Sequence, residues 1–351
     1  MRALITGGAG FIGSHLAEAL VLHGHEVTVL DDLSTGRLEN IAHLSGTPGF
    51  RCVIDSVTNA AAVEPLVAQA DVVFHLAAAL GVRLVCEEPI RTIHTNVNGT
   101  ETVLAAAQRY RKRVLVASTS EVYGKSRALP YSEDADLVLG PPNKTRWNYA
   151  TSKLLDEFLA LGYAKQHDLP VTVVRLFNTV GPRQSSRYGM VLPNFVRWSL
   201  AGTPITIHGD GSQTRSFTWV GDVVWAMMAL INEPRAEGEV FNIGNGEEIS
   251  IRDLALRVRE ITGSRSELRF VSYEQAFDGN FEDMPRRVPD ITKVRRAVGY
   301  EPRVQLNGII ESVIQYWKAE QGVAQSPVPG RRRTWGLADS LLARRSVDAV
   351  L

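Results

Sequence analysis

Short apolar segments alternate with longer helical segments along the first 180 residues of this 351-residue chain. The apolar segments carry Val, Ile and Leu at odd and even positions alike, which is typical of strands that helices cover on both faces. Six strands are predicted, at 2–6, 26–31, 51–55, 71–77, 113–118 and 171–177. Helices are predicted between them, for example at 12–23, 95–110 and 149–166. This alternation predicts right-handed crossovers and an α/β fold with a doubly wound parallel sheet.

The alternation weakens after residue 180, where Pro and Gly interrupt the chain repeatedly. A short strand is predicted at 205–208, and helices are predicted near 190–201, 221–232 and 250–262. We therefore predict a domain at 1–180 and a smaller lobe, mainly residues 181–321, over the carboxyl-terminal edge of its sheet. Residues 322–351 are rich in proline and then basic, so we predict a flexible tail, with a partner-docking segment as the alternative.

Charge and composition argue against several classes of protein. Lys+Arg and Asp+Glu balance at 38 each, so binding to nucleic acid is not expected. No apolar run reaches membrane-spanning length and the first strand begins next to Met1, so a cytoplasmic protein without a signal peptide is predicted. Cys52 and Cys86 lack C-x-x-C spacing and are expected to be unpaired. No metal site is predicted.

The segment TGGAGFIGSH at 6–15 follows the first predicted strand and opens the first predicted helix. Gly7, Gly10 and Gly13 let the backbone pass close to a pyrophosphate, which the free N–H groups of the helix N-terminus can bind. Asp31 ends the second strand, where a carboxylate binds the adenosine ribose hydroxyls and repels a 2′-phosphate. The segment therefore predicts a Rossmann-type sheet with NAD, and not NADP, as cofactor.

Tyr149 and Lys153 indicate the chemistry, because they stand four positions apart and share one face of a predicted helix. A tyrosine base near neutral pH needs its pKa lowered by roughly 3 units from about 10, a preference for the anion of about 4 kcal/mol. An ammonium about 5 Å away supplies roughly 3 kcal/mol at an effective dielectric constant of about 20. Oxidised NAD is expected to supply the rest. Tyr149 would then take the proton from a sugar hydroxyl as hydride leaves the same carbon.

Several separated motifs resemble one known family. They are the glycine motif, Asp31, HLAA at 75–78, NVNGT at 96–100, STSEVYG at 118–124 and YATSK at 149–153. Over residues 1 to about 318 the chain is similar to the extended short-chain dehydrogenase/reductases, and within them to the nucleotide-sugar epimerases, dehydratases and decarboxylases. The resemblance implies an NAD that is reduced and reoxidised within one turnover. It also implies a homodimer through a four-helix interface built from the helices near 95–110 and 149–166.

The resemblance also assigns roles to individual residues. The predicted catalytic residues are Thr119, Ser120, Glu121, Tyr149, Lys153 and Arg287. The predicted NAD contacts are Gly7, Gly10, Phe11, Ile12, Gly13, Asp31, Asp32, Ser34, Thr35, Gly36, Asp55, Ser56, Leu76, Ala77, Ala78 and Asn96, together with Tyr149 and Lys153. The predicted contacts of a UDP-sugar substrate are Arg83, Asn178, Arg183, Arg215 and Arg287. Of these, Asn178 and Arg215 are expected at the diphosphate, and Arg83 is either a ligand of a sugar carboxylate or a solvated charge.

The family resemblance leaves more than one reaction open, each beginning with oxidation at sugar C4. T-S-E at 119–121 resembles UDP-glucuronate decarboxylases, in which Glu121 and Arg287 would lie near C5 and its carboxylate, giving a UDP-4-keto-pentose or UDP-xylose. The loop ALGVRLV at 79–85 resembles a group of UDP-glucose or UDP-glucuronate 4-epimerases, which is the alternative. A 4,6-dehydratase is disfavoured because Ser120 replaces its aspartate. A non-catalytic NAD-sensing regulator is disfavoured because Tyr149 and Lys153 are intact.

Overall fold

The computed structural model describes residues 1–187, 189–277 and 282–324. Fourteen strands lie within these ranges: β1 Arg2–Thr6, β2 Glu26–Asp31, β3 Phe50–Ile54, β4 Val72–His75, β5 Arg113–Thr119, β6 Val171–Leu176, β7 Thr179–Val180, β8 Ile205–His208, β9 Thr214–Ser216, β10 Thr218–Trp219, β11 Glu239–Ile243, β12 Glu248–Ser250, β13 Leu268–Val271 and β14 Arg286–Arg287. The α-helices of the same ranges are α1 Phe11–Leu22, α2 Ala60–Gln69, α3 Val82–Glu87, α4 Pro89–Tyr110, α5 Trp147–His167, α6 Val191–Leu200, α7 Val220–Leu230, α8 Ile251–Thr262, α9 Tyr273–Phe277, α10 Thr292–Val298 and α11 Leu306–Ala324.

A seven-stranded parallel sheet confirms the predicted fold class. Its strand order is β11-β6-β5-β4-β1-β2-β3, so the chain winds outward from β1 in both directions. All six strands predicted before residue 180 are present. The sequence analysis missed β11, in which Phe241 pairs with Val174 of β6. The chain therefore returns to the large sheet well after residue 180, while the domain boundary at that residue stays a prediction.

Helices bury both faces of the sheet, which explains why its strands are apolar at every position. In β1, Ile5 packs with α1 and α7 on one face, and Leu4 packs with α2 and α4 on the other. Both side chains are fully buried, and burial of each contributes about 1.5–3 kcal/mol to folding. The carboxyl ends of the strands remain uncovered by these two layers, and the functional residues lie there.

A second core belongs to α6, α8 and α11 beside β8. Phe195, Ile207, Leu254 and Ile310 are among its buried residues. The amino end of α8 is capped by the Ser250 hydroxyl, which accepts a hydrogen bond from the Asp253 amide at 3.0 Å. The predicted strand at 205–208 and the helices near 190–201 and 250–262 are confirmed as β8, α6 and α8. The predicted helix near 221–232 is α7, which instead packs on α1 against the large sheet.

The predicted carboxyl-terminal tail falls almost wholly outside the described residues. Within them, α11 extends to Ala324 and so includes the first three residues of that segment. No helix in the described ranges has the length and apolar character needed to cross a lipid bilayer.

Candidate active site

A cleft of about 1090 Å³ opens at the carboxyl ends of β1, β2, β4, β5 and β6 and reaches the smaller lobe. Ligands of open α/β sheets bind at this edge. Every predicted site residue whose side chain is described lines the cleft except Gly36, Ser56 and Asn96. Arg83 lies in α3, but its side chain is outside the described part of the chain. No cluster of His, Cys, Asp and Glu suited to a metal ion occurs among the residues described.

The glycine loop fits a pyrophosphate because side chains are excluded from it. Gly7 adopts a left-handed φ of 73°, and a Cβ on Gly13 would lie 2.3 Å from the Gly7 carbonyl oxygen. Gly10 caps α1 without any side-chain hydrogen bond, so the first amides of α1 face the cleft without a side-chain acceptor. Amides of this kind bind phosphate oxygens.

Asp31 lies beside this loop as the predicted ribose ligand. Its Oδ2 accepts a hydrogen bond from the Ala9 amide at 2.9 Å, and its Oδ1 accepts one from the Leu33 amide at 2.9 Å. Burial raises the pKa of Asp31, and these amides oppose that rise. A Cβ on Gly36 would lie 2.7 Å from Oδ1, so a larger residue there would crowd the carboxylate. The loop and the carboxylate together fit the adenosine half of NAD.

Asn96, which the sequence analysis assigned to NAD, is not among the residues that line the cleft. It is fully buried, its Oδ1 accepts a hydrogen bond from the Ala79 amide at 2.8 Å, and its Nδ2 donates to Ser152 Oγ at 3.0 Å. The amide side chain therefore joins the segment after β4 to α5. Both ends of the side chain are used within the protein, and the contact of Asn96 with NAD stays a prediction.

Tyr149 and Lys153 lie on one face of α5, as the sequence analysis predicted from their spacing. Both residues line the cleft. Burial and the nearby Glu121 carboxylate raise the pKa of Tyr149, while a hydrogen bond with Thr119 favours its phenolate. Lys153 donates from Nζ to Asp156 Oδ2 at 2.7 Å, with both side chains almost completely buried. The sequence analysis did not foresee Asp156, since a charged residue on a helix is usually solvated.

Three arginines and two carboxylates meet in the part of the cleft beside Tyr149. Glu121 Oε1 lies 3.3 Å from Arg287 Nη1 and 3.6 Å from Arg146 Nη2. Asp283 Oδ1 lies 2.7 Å from Arg215 Nη2 and 3.2 Å from Arg146 Nη1. The cluster therefore has one more formal positive charge than negative.

The sequence analysis did not predict that Arg146 and Asp283 belong to this site. Arg146 stands three positions before Tyr149, which places both on one helical face and was an available signal. Asp283 joins it from 137 positions away, and no local pattern indicates that contact.

The electrostatics of the cluster favour an anion in the cleft. Burial and the neighbouring Arg215 lower the pKa of Arg287 to about 10. Its Nε is buried and has no hydrogen-bond acceptor among the described residues. Burial opposes ionisation of Asp283, but Arg215 and Arg146 outweigh it and hold the pKa of that carboxyl below its usual range. An added carboxylate or phosphate would restore the charge balance.

Asn178 and Arg183 occupy different surroundings. Asn178 lines the cleft with a positive φ of 33°, and its Nδ2 donates to the Ser216 carbonyl at 2.8 Å. Arg183 also lines the cleft, but its Nη2 donates to Glu18 Oε2 of α1 at 2.6 Å in a buried ion pair. This contact fastens the loop after β7 to α1, so part of the guanidinium expected to bind substrate is used inside the protein.

The fold and the glycine loop of this cleft are those of a dinucleotide-dependent enzyme. Residues 3–244 match the NAD dependent epimerase/dehydratase family, and the chain belongs to that family. It is an enzyme with NAD as cofactor, as the sequence analysis predicted.

Three similar proteins show how the family varies. The chain is 44% identical to the UDP-N-acetyl-alpha-D-glucosaminuronate decarboxylase of Bacillus cytotoxicus, covering 90% of this chain and 98% of that protein. It is 39% identical to UDP-glucuronic acid decarboxylase 1 of Xenopus tropicalis, covering 91% of this chain and 72% of that protein. The crystal structure of UDP-glucuronic acid 4-epimerase from Bacillus cereus, in complex with UDP-glucuronic acid and NAD, superposes with a TM-score of 0.82 at 30% identity. That alignment covers 91% of this chain and all of the other.

Proposed function

We propose that the protein is a UDP-glucuronate decarboxylase, which forms a UDP-4-keto-pentose or UDP-xylose. The observation that carries the proposal is the contact between Glu121 and Arg287 beside Tyr149, within a cluster that has an excess positive charge. A sugar carboxylate supplies the missing negative charge. The two decarboxylases among the similar proteins support the same reaction class.

The first step is oxidation at sugar C4. Tyr149 takes the proton of the C4 hydroxyl, and Thr119 and Ser120 hold the hydroxyl groups at this position. Lys153 supports the negative charge that develops on the Tyr149 oxygen. NAD, when bound against the glycine loop and Asp31, supplies the acceptor for the hydride that leaves C4.

The second step is loss of the carboxylate. A C4 ketone makes the C6 carboxylate a β-keto acid, so the C5–C6 bond breaks, carbon dioxide leaves and the bonding electrons move onto the C4 oxygen. C5 then takes one proton from solvent, which Glu121 relays, and the product at this stage is the UDP-4-keto-pentose. UDP-xylose would form if the hydride removed in the first step and the proton held by Tyr149 returned to C4. Arg287 and Arg146 hold Glu121 in place for the proton transfer to C5. Because a 4-epimerase needs no proton transfer at C5, this position of Glu121 favours decarboxylation.

A second candidate substrate is UDP-N-acetylglucosaminuronate. It is favoured by the higher identity and fuller coverage of the Bacillus cytotoxicus relative. The chemistry at C4, C5 and C6 is the same for both substrates, which differ at C2. The contacts of the described residues do not distinguish a hydroxyl from an acetamido group there, so the substrates must be compared directly.

The experiment is to incubate the purified protein separately with UDP-glucuronate, UDP-N-acetylglucosaminuronate and UDP-glucose, and to follow products by mass spectrometry and proton NMR. Loss of carbon dioxide from a uronate supports the decarboxylase, and the faster of the two uronates identifies the substrate. An unchanged mass with an inverted coupling at C4 would establish a 4-epimerase instead. Arg286→Gln is a suitable control variant, because Arg286 is half-exposed and pairs with Glu248 away from the cleft.

We also propose that the protein is a homodimer joined through α4 and α5. Ile90 and Ile93 of α4 are 71% and 41% exposed, and Leu155 and Phe158 of α5 are 44% and 67% exposed. Each pair has the i, i+3 spacing that places both residues on one helical face, so the two helices offer an apolar surface to a second copy.

Light scattering tests this proposal. Phe158→Asp should convert a dimer to a monomer, whereas Phe270→Asp, an equivalent change at an exposed position of β13, should not. A dimer that withstands the Phe158 substitution would place the interface elsewhere. The cytoplasmic location stays a prediction of the sequence.

A further inference from the structure

The catalytic lysine of this chain does not stand alone. Lys153 Nζ donates to Asp156 Oδ2 at 2.7 Å, one helical turn further along α5. The side chains are 3% and 0% exposed respectively, so the pair is sealed from bulk water. An ammonium in such a position favours its neutral form unless an anion compensates it. Asp156 is the carboxylate in contact with it among the described residues.

We propose that Asp156 is a positioning residue whose carboxylate holds the Lys153 ammonium in place beside Tyr149. The inference rests on the proposed function in that it deepens the role of Tyr149 as the base. It concerns this chain's own residues and holds whichever UDP-sugar is the substrate.

Geometry decides which effect of Asp156 is the larger. Its negative charge also disfavours the Tyr149 phenolate directly. However, Asp156 stands seven positions from Tyr149, about 10 Å along the helix axis, while it touches Lys153. Because Coulomb energy falls as the inverse of distance, Asp156 acts most strongly on Lys153, the charge it contacts. Loss of Asp156 should therefore weaken the phenolate, because the ammonium is no longer held beside it.

The other charged and titratable groups around Lys153 and Tyr149 do not replace Asp156. His75 of β4 is a neutral neighbour, because burial and Lys153 lower its pKa to about 3, and its two ring nitrogens contact Thr6 and Thr100. Glu157, the next residue of α5, is committed to Arg175 of β6 at 2.8 Å.

The remaining charges belong to neighbouring elements. Glu121, which follows β5, and Arg287 of β14 pair with each other. On α4, Glu101 accepts a hydrogen bond from the Tyr163 hydroxyl at 2.8 Å. Burial raises the pKa of Asp156 and Lys153 opposes that rise, which is the behaviour of two buried groups that stabilise each other's charged forms.

The test is a spectroscopic titration of Tyr149 that needs no substrate. The tyrosinate absorbance of the NAD-loaded protein is followed against pH, and the same titration of Tyr149→Phe is subtracted to isolate Tyr149. The measurement is repeated with Asp156→Asn, using the Tyr149→Phe, Asp156→Asn double variant as its reference. Asp168→Asn serves as the matched control, because Asp168 is the exposed residue that ends the same helix.

The expected result is a midpoint for Tyr149 that moves up by about one pH unit or more in Asp156→Asn and is unchanged in Asp168→Asn. Asp156→Glu, which keeps a carboxylate, should restore part of the shift. An unchanged midpoint would reduce Asp156 to a packing residue, and a midpoint that moves down would show that its direct effect on Tyr149 prevails. Either outcome overturns the inference. Failure of the proposed function would instead appear as absence of product from the wild-type protein, with the titration unaffected.

Discussion

Arg287 Nη1 and Glu121 Oε1 lie 3.3 Å apart, although 166 positions separate the two residues in the chain. Glu121 comes from the turn that follows β5, and Arg287 comes from the short strand β14 of the smaller lobe. The contact therefore joins the large sheet to the smaller lobe in the part of the cleft beside Tyr149. In the proposed reaction neither residue takes the proton of the C4 hydroxyl, so we expect both to act in a later step.

Replacement of Glu121 with Gln should separate the two steps. The amide keeps the shape of the side chain but carries no proton between solvent and C5. We therefore expect NAD reduction to persist, while formation of the decarboxylated UDP-sugar falls by about 100-fold or more. Rapid-mixing absorbance of NADH and mass spectrometry of the product measure the two steps on the same sample. Equal loss of both would contradict this division of labour.

Replacement of Tyr149 with Phe should stop the reaction before any carbon is lost. The variant keeps the ring but loses the hydroxyl beside Thr119 that is proposed to take the C4 proton, so hydride transfer should fall by about 100-fold to 10,000-fold. Bound NAD should remain, since the glycine loop and Asp31 are untouched. Tyr110→Phe is the control, because the Tyr110 hydroxyl bonds Glu64 on the surface. Normal NADH formation in Tyr149→Phe would remove Tyr149 from the role of base.

The large sheet was predictable because strands that are buried on both faces need apolar residues at consecutive positions. In β1, Leu4 packs on one face and Ile5 on the other. The glycine loop was predictable for a related reason, since its backbone tolerates no side chain. β11 was missed because EVFNI is short and begins with an exposed Glu239, and its partner β6 lies far away in sequence.

The contacts of charged residues were the least predictable part of the site. Asp156 has the appearance of a solvated helix residue, and only the packing of α5 against α4 and the sheet shows that it is buried. Arg183 was assigned to substrate, but its partner Glu18 lies 165 positions away. The local sequence shows which residues are charged, but it does not show which of them form ion pairs with residues far away in the chain.

Two glycine substitutions should have opposite effects on stability. In Gly13→Ala the new methyl would lie 2.3 Å from the Gly7 carbonyl oxygen and 2.7 Å from Gly8 Cα, both backbone atoms. We expect a loss of about 2 kcal/mol or more together with loss of NAD. Gly246, in the loop between β11 and β12, has open space around its Cβ position and no left-handed φ, so Gly246→Ala should stabilise by about 0.4–1 kcal/mol. Thermal unfolding and the cofactor absorbance of the purified variants measure both effects, and retained NAD in Gly13→Ala would be inconsistent with the crowded loop.

Glu18 should give the fold a defined sensitivity to acid. Burial favours its neutral form, but the nearby His43 imidazole and the Arg183 guanidinium outweigh burial and lower the pKa of Glu18 from 4.5 to about 2. Because the folded-state pKa lies below the unfolded value, the stabilisation is complete above pH 4.5 and is lost as pH falls from there toward 2. A shift of this size corresponds to about 3 kcal/mol.

Glu18→Gln should therefore lower the free energy of unfolding by about 3 kcal/mol at neutral pH, and the difference from wild type should shrink as pH falls below 4.5. Urea unfolding across this pH range measures the difference. Glu64→Gln is the control, since Glu64 pairs with Arg109 at an exposed position where an ion pair contributes about 0–1 kcal/mol. A difference for Glu18→Gln that stays constant with pH would mean that the carboxylate charge is not what fastens the loop after β7 to α1.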